Sequence, residues 1–417
     1  MKLSAFGQKF AGDSGIVQLM DDLGSALGEN PGMIFMGGGN PGRLQAVEAI
    51  FQQRLEAIME DPDQRHALFG VYQAPQGELA FREQLAAFLK REFGWPLTAA
   101  NIALSNGSQP AFFILYNLFA GVMPGGGRRT IHLPLSPEYI GYGDVGLCDH
   151  FFTATRPNIE LLEDGLFKYH VDFSRLQPGE ETAALCVSRP TNPTGNVLTD
   201  EEIAHLDEIA RQRDIPLIID GAYGLPFPNI LFTEARPHWN ENTVLALSLS
   251  KLGLPGVRTG IIVAREEIVQ AFTNANTIIS LACGTLGPAL ARALFDSGEI
   301  LSLTRDYVTP FYRERSQQAV QWFREKLGDL PCHIHKPEGA IFLWLWLEDL
   351  PITSQALYER LKTRGVLVVP GHNFFIGLGE DWPHRNECIR VSYARDEATV
   401  RRGVAIIAEE IRRAYSE

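Results

Sequence analysis

The chain has 417 residues, 45% of them hydrophobic and 21% charged, with a formal net charge of −13. That composition supplies a large apolar core and excludes a natively disordered or fibrous chain. A surface this negative also argues against nucleic acid and anionic membranes as partners.

At roughly 150 residues per domain, the length predicts two or three domains. Cys148, Cys186, Cys283, Cys332 and Cys388 are scattered and form no CxxC pair. They read as reduced thiols, with no metal site. The longest nearly apolar stretch, 111–123, is broken by Asn117. It is shorter than the roughly 18 residues a membrane span needs. The first residues hold no apolar signal core, so the chain reads as cytoplasmic.

In chain order, the spacing of apolar residues predicts helices over 79–91 and 109–120. Short apolar runs predict strands over 130–133, 184–188, 216–220, 244–248 and 260–264. Between two of these, 201–213 reads as a crossover helix capped by Thr199 or Asp200. Strand, helix, strand at this spacing implies a parallel α/β sheet. The last third differs, with long amphipathic helices over 310–327 and 398–413 and strands over 341–347 and 365–369. The expected division is an N-terminal segment (1–45), a large domain (46–305) and a smaller α+β domain (306–417).

Three segments each end a predicted strand, where open α/β sheets bind their ligands. Ser188-Arg189-Pro190-Thr191-Asn192-Pro193-Thr194-Gly195 breaks the chain and leaves Asn192 at the sheet edge. Leu217-Ile218-Ile219-Asp220-Gly221-Ala222-Tyr223 carries a carboxylate out of an apolar run. Such a carboxylate needs a cation, hydrogen-bond donors or a helix end to cap. Ser248-Leu249-Ser250-Lys251 presents a lysine after a buried strand, with Arg258 downstream. Burial and nearby cations would lower its pKa and suit it to condense with a carbonyl. Gly37-Gly38-Gly39-Asn40-Pro41-Gly42 matches G-x-G-x-x-G, but no βαβ unit follows it, so a dinucleotide site is rejected.

Taken together, Asn192, Asp220, Tyr223, Lys251 and Arg258 resemble the fold-type I pyridoxal-phosphate aminotransferase family. The resemblance runs from about residue 35 to the C-terminus. It implies a large domain with a mixed, mostly parallel sheet flanked by helices, plus a smaller α+β domain. It implies pyridoxal 5′-phosphate as cofactor, held covalently by Lys251. Asp220 would pair with the ring nitrogen, and Tyr223 and Asn192 with the phenolic oxygen. Ser108, Gln109, Ser248 and Arg258 would bind the phosphate, with Ser250 beside them. Tyr139 would stack on the ring, with Tyr142 as the alternative. Tyr72 would reach the phosphate of a partner subunit in a homodimer with shared active sites. Arg390 would bind the substrate α-carboxylate, and Gly39 would close over the substrate.

The implied reaction is ping-pong transamination between amino acids and 2-oxo acids. The runs 340–346 and 370–375 imply valine as donor and pyruvate as acceptor. The stretch 266–291, which has no Lys or Arg, agrees, because it offers no cation for a dicarboxylate. The same fold leaves open an aminotransferase of broad or aromatic specificity, or a β-lyase. A non-catalytic ligand sensor is the reading from another class, and the intact Lys251 argues against it.

Overall fold

A computed structural model of the chain describes residues 1–12, 14–28 and 32–417. At its centre lies an eight-stranded sheet. In spatial order it runs Ile102–Ser105, Gly260–Val263, Thr243–Ser248, Leu217–Asp220, Thr182–Ser188, Arg128–Leu133, Gly121–Val122. Phe152–Ala154 also pairs with Arg128–Leu133. The four strands from Thr243–Ser248 to Arg128–Leu133 are parallel neighbours, and Gly260–Val263 is antiparallel to both strands beside it. The sheet is therefore mixed and mostly parallel.

A sheet covered on both faces needs apolar side chains pointing both ways. Leu217 and Ile219 enter one apolar core, while Ile218 enters the other. Leu245 and Leu247 alternate with Val244 and Ala246 in the same way. Ile203 and Leu206 of the helix Asp200–Gln212 fill the first core. Phe112 and Leu115 of Ser108–Phe119, with Phe272 of Glu266–Ser280, fill the second. Thr199 starts the helix Asp200–Gln212, and Glu202 returns its bond in a capping box.

The second sheet is six-stranded, in the order Val369–Pro370, Cys388–Ser392, Phe342–Leu347, Cys332–His335, Leu166–His170, Asn158–Leu161. The hairpin Asn158–His170 comes from the middle of the chain, yet its strand Leu166–His170 lies parallel to Cys332–His335. The single strand expected over 365–369 is two short ones. Val366–Leu367 runs parallel to Ile34–Phe35, and Val369–Pro370 turns onto Cys388–Ser392. The Ser392 N–H donates to the Met36 carbonyl at 2.6 Å. After the two-residue strand Ile34–Phe35, no helix starts until Gln45–Glu60. The glycine run therefore lacks the tight turn into a helix that a dinucleotide site requires. A π-helical turn, Thr304–Val308, joins Glu299–Leu303 to Thr309–Leu327.

A buried ion pair fastens the second sheet to the loop that follows Ser188. Lys168 Nζ meets Glu338 Oε2 and donates to Asn196 Oδ1 at 2.8 Å and the Val197 carbonyl at 3.1 Å. Glu338 Oε2 also accepts the Val197 N–H at 3.0 Å. Lys336 Nζ, half-exposed, lies 3.3 Å from Glu338 Oε1, so removing Lys168 leaves Glu338 without its buried partner. Lys168→Ala should therefore lower stability by about 3–5 kcal/mol in urea unfolding. A loss below about 1 kcal/mol would show that the pair contributes no more than a surface bridge.

Candidate active site

Parallel strands bring the predicted residues to one edge. Ser188 pairs in register with Asp220, and Asp220 with Ala246. The chain segments that leave these three strands carry Asn192, Tyr223 and Lys251. Ile102–Ser105 ends on the same side and leads through Gly107 into the helix Ser108–Phe119.

Lys251 lies in a short 3₁₀ turn, Ser250–Leu252. Its Nζ donates to the Gly39 carbonyl and lies 5.1 Å from the centre of the Tyr223 ring. A Cβ on Gly39 would meet that Nζ at 3.4 Å, so the residue faces the amine. Burial, then the charges of Arg390 and Arg258, bring the Lys251 ammonium from 10.5 down to about 8. Asp220 opposes that shift.

Asp220 is buried. Its Oδ2 accepts the Tyr142 hydroxyl at 2.6 Å, and its Oδ1 accepts the Ala222 N–H at 2.9 Å. Burial pushes its carboxyl above the ordinary range, against those two donors. Tyr142 is thus committed to Asp220. Tyr139 stands edge-on to it, with ring centres 5.3 Å apart, and feels the charges of Arg390, Asp220 and Arg258. This places Tyr139, rather than Tyr142, toward the pocket.

Arg390 is only 2% exposed. It sits in Cys388–Ser392, opposite Trp344 and Val369. Nη1 donates to Asn192 Oδ1 and Nη2 to the Gly37 carbonyl, both at 2.6 Å. Its Cζ is 4.1 Å from the centre of the Phe342 ring and 5.0 Å from that of Phe374. Nε is buried without an acceptor. Among the described residues no carboxylate meets it, and burial lowers its pKa to about 10. A buried guanidinium served only by neutral oxygens and rings suits an anionic ligand. Because arginine only donates, Asn192 turns its oxygen to Arg390 and keeps its Nδ2 for another partner.

A second anion-binding feature lies at the start of Ser108–Phe119. Gly107 caps that helix at φ 99° with no side-chain bond. A Cβ there would fall 2.2 Å from Arg258 Nη2, so only glycine lets the guanidinium lie over the helix end. Arg258 donates to the Pro255 carbonyl at 3.3 Å, its one hydrogen bond among the described residues. Helix dipole, free N–H groups and guanidinium together suit a phosphate. Gln109 reaches the Gly141 carbonyl at 2.8 Å and leaves its Oε1 unpartnered. Ser248 is buried, with its hydroxyl bonded to the Ser250 N–H at 3.1 Å and the Thr259 carbonyl at 3.4 Å. Ser250 is buried beside it. Tyr72 is not brought to this pocket within one chain; it is 84% exposed.

Amine, buried carboxyl, aromatic face and phosphate cradle match the functional groups of pyridoxal phosphate, so the residues fit that cofactor. The sequence reading missed two members. Tyr142 appeared only as an alternative to Tyr139, and Glu138 was not singled out. Glu138 is fully buried, and burial pushes its carboxyl up to about 8. Its signal was an acidic residue inside the otherwise uncharged run Leu133–Tyr142.

The sequence profile "Aminotransferase class I and II" matches residues 150–407. The valine–pyruvate aminotransferase of Escherichia coli K12 is 53% identical over the whole of both chains. A putative amino-acid aminotransferase from Psychrobacter arcticum is 47% identical and superimposes with TM-score 0.97, covering both chains fully. The valine–pyruvate aminotransferase of Salmonella typhimurium LT2 is 51% identical, with TM-score 0.89, over 97% of this chain and 100% of its own. The chain belongs to the class I and II aminotransferases, a family of enzymes that work with pyridoxal 5′-phosphate.

The lowered pKa of Lys251 has a direct signature. Only the neutral amine acylates, so its rate rises with pH until the amine is deprotonated. Acetylation of Lys251 in cofactor-free protein, followed by mass spectrometry, should level off just above pH 8. Surface lysines should keep accelerating toward about pH 10.4. A matching surface-like profile for Lys251 would contradict the pocket's electrostatics.

Proposed function

We propose that this chain moves the amino group of valine to pyruvate, giving 2-oxoisovalerate and alanine in a ping-pong cycle. The observation that carries the amino-acid and oxo-acid reading is Arg390, buried with no carboxylate of its own. Full-length likeness to the Escherichia coli enzyme supports the substrate pair.

When bound, pyridoxal 5′-phosphate supplies a ring that accepts the electron pair left when the Cα–H bond breaks. Lys251 Nζ holds the cofactor and, once displaced by the substrate amine, takes the Cα proton and returns it. An amine near pKa 8 does both near neutral pH. Asp220 keeps a proton on the ring nitrogen, and Tyr142 holds that carboxyl in place. Tyr223 Oη and Asn192 Nδ2 donate to the phenolic oxygen. Tyr139 gives the ring an aromatic face. Arg258, Ser108, Gln109 and Ser248 hold the phosphate, chiefly through the guanidinium and the helix N–H groups. Arg390 binds the α-carboxylate, and Gly39 closes the substrate side.

The same reading makes the protein a cytoplasmic homodimer. Among the described residues no helix is long and apolar enough to cross a membrane. Phe69, Tyr72, Ile278 and Leu281 are 72%, 84%, 87% and 60% exposed. The Thr285 hydroxyl bonds the Leu68 carbonyl at 2.7 Å, so the two segments adjoin. Apolar surface of this kind favours coverage by a second copy, with Tyr72 reaching the partner's phosphate. The division at residues 45 and 305 belongs to this proposal, with the hairpin Asn158–His170 added to the smaller unit.

The first test is a visible spectrum of the cofactor-loaded protein. L-Valine without an oxo acid should abolish the cofactor's visible band, and pyruvate should restore it. A band indifferent to valine would remove valine as donor. Arg390→Ala should raise KM for every amino acid alike, by about 10- to 100-fold, as expected for a lost charge-assisted pair. A rise confined to one substrate would remove Arg390 from the shared carboxylate.

A further inference from the structure

Nothing in the proposed reaction uses Glu138, yet its carboxyl is enclosed beside Asp220. Glu138 Oε1 accepts the Ser188 N–H at 2.7 Å, and Oε2 shares a short hydrogen bond with the Ser188 hydroxyl. The Tyr139 N–H lies 3.4 Å from Oε2. Ser188 Oγ also accepts the Asn192 N–H at 3.2 Å. Asn192 Oδ1 in turn takes Arg390 Nη1. A continuous chain of bonds therefore runs from Glu138 through Ser188 and Asn192 to Arg390.

The loop that carries Asn192 lies between two prolines, 190 and 193, which have no N–H to anchor it. Thr191 ties the loop to the Asn196 and Ser188 carbonyls at 2.7 and 3.0 Å, and at the residue that faces the pocket the backbone hold is the Asn192 N–H, whose acceptor is the Ser188 hydroxyl. That hydroxyl is free to rotate unless something fixes it, and the group that fixes it is Glu138. A small lateral slip of Asn192 would part Nδ2 from its ligand and Oδ1 from Arg390 together.

We propose that Glu138 is a positioning residue: by gripping both the amide and the hydroxyl of Ser188, it aims the Asn192 side chain between Arg390 and the cofactor's phenolic oxygen. This rests on the cofactor reading above. It differs from an electrostatic role. Around Glu138 stand Asp220, Tyr142, Tyr116 and Cys186, and no cation is among the groups that shift it. Burial holds the carboxyl toward its neutral form, so an amide of the same length keeps the same grip.

The test is the pH titration of the bound cofactor's visible band. A donor on the phenolic oxygen lowers that midpoint. Glu138→Ala should raise it by roughly 0.5–1 pH unit, about half of what one whole hydrogen bond to the charged form would give, because the donor is misaimed rather than removed. Glu138→Gln should restore most of the shift, because it keeps an acceptor for the Ser188 N–H and a partner for the hydroxyl. Ser188→Ala, which removes only the relay hydroxyl, should move the midpoint the same way and covers the case in which Glu138→Ala does not fold. In an Asn192→Ala background, Ser188→Ala should add little. A midpoint unmoved by Ser188→Ala, a Gln variant equal to Ala, or full additivity with Asn192→Ala overturns the inference alone. A parent protein with no titrating band overturns the cofactor reading with it.

Discussion

The structure turns on one unpaired charge. Arg390 is enclosed, and the groups that meet it are two neutral oxygens and two aromatic rings. Burying a guanidinium without a counter-ion is costly, and hydrogen bonds offset only part of that cost. The oxygens come from distant places. Gly37 belongs to the N-terminal segment and Asn192 to the loop behind the central sheet, while Arg390 itself rises from the second sheet. The charge is therefore where three parts of the chain meet. It also acts at a distance, as one of two cations that make Lys251 a weaker base than a surface lysine.

Negative charge is treated differently. Asp220 ends one strand and Glu138 bonds to Ser188 at the end of the strand beside it, and burial raises both pKa values. Each has donors to hold it, but neither has a cation in direct contact among the described residues. The pocket is thus polarised. One side awaits an anion at Arg390 and another at the Arg258 helix end, while Asp220 awaits a cationic ring atom. Pyridoxal phosphate with an amino acid carries this charge pattern.

Much of this was legible in the sequence, because strand ends are local features. Leu217-Ile218-Ile219-Asp220 reads as a buried strand closing on a carboxylate whatever the rest of the chain does. Lys251 and Asn192 are placed by the same rule. What could not be read were pairings set by the sheet order. Tyr142 and Asp220 are 78 residues apart in sequence, and Glu138 and Ser188 are 50 apart. Leu166–His170 and its partner Cys332–His335 are not among the predicted strands, and their pairing joins segments far apart in the chain. Val366 to Pro370 reads as one apolar run, and only the two flanking sheets explain why it divides. Tyr72 belongs to a third class, since one chain offers it no partner to be read.

In the proposed mechanism Arg390 recognises what all amino acids share, so it would not separate one side chain from another. Rejecting a dicarboxylate needs a different cause. Among the described residues, the positive charges acting on Lys251 are Arg390 and Arg258. In the proposed mechanism, the first serves the α-carboxylate and the second the phosphate. Within one chain, a second substrate carboxylate would then find no counter-ion among those charges. Its desolvation would go uncompensated, whereas an aliphatic side chain asks only for removal from water. Discrimination of this kind works by a missing partner rather than an added contact. It is sharp against charge and shallow among neutral side chains, since one methylene changes binding by only about 1–3 kcal/mol. Valine and pyruvate both lie on the accepted side of that boundary.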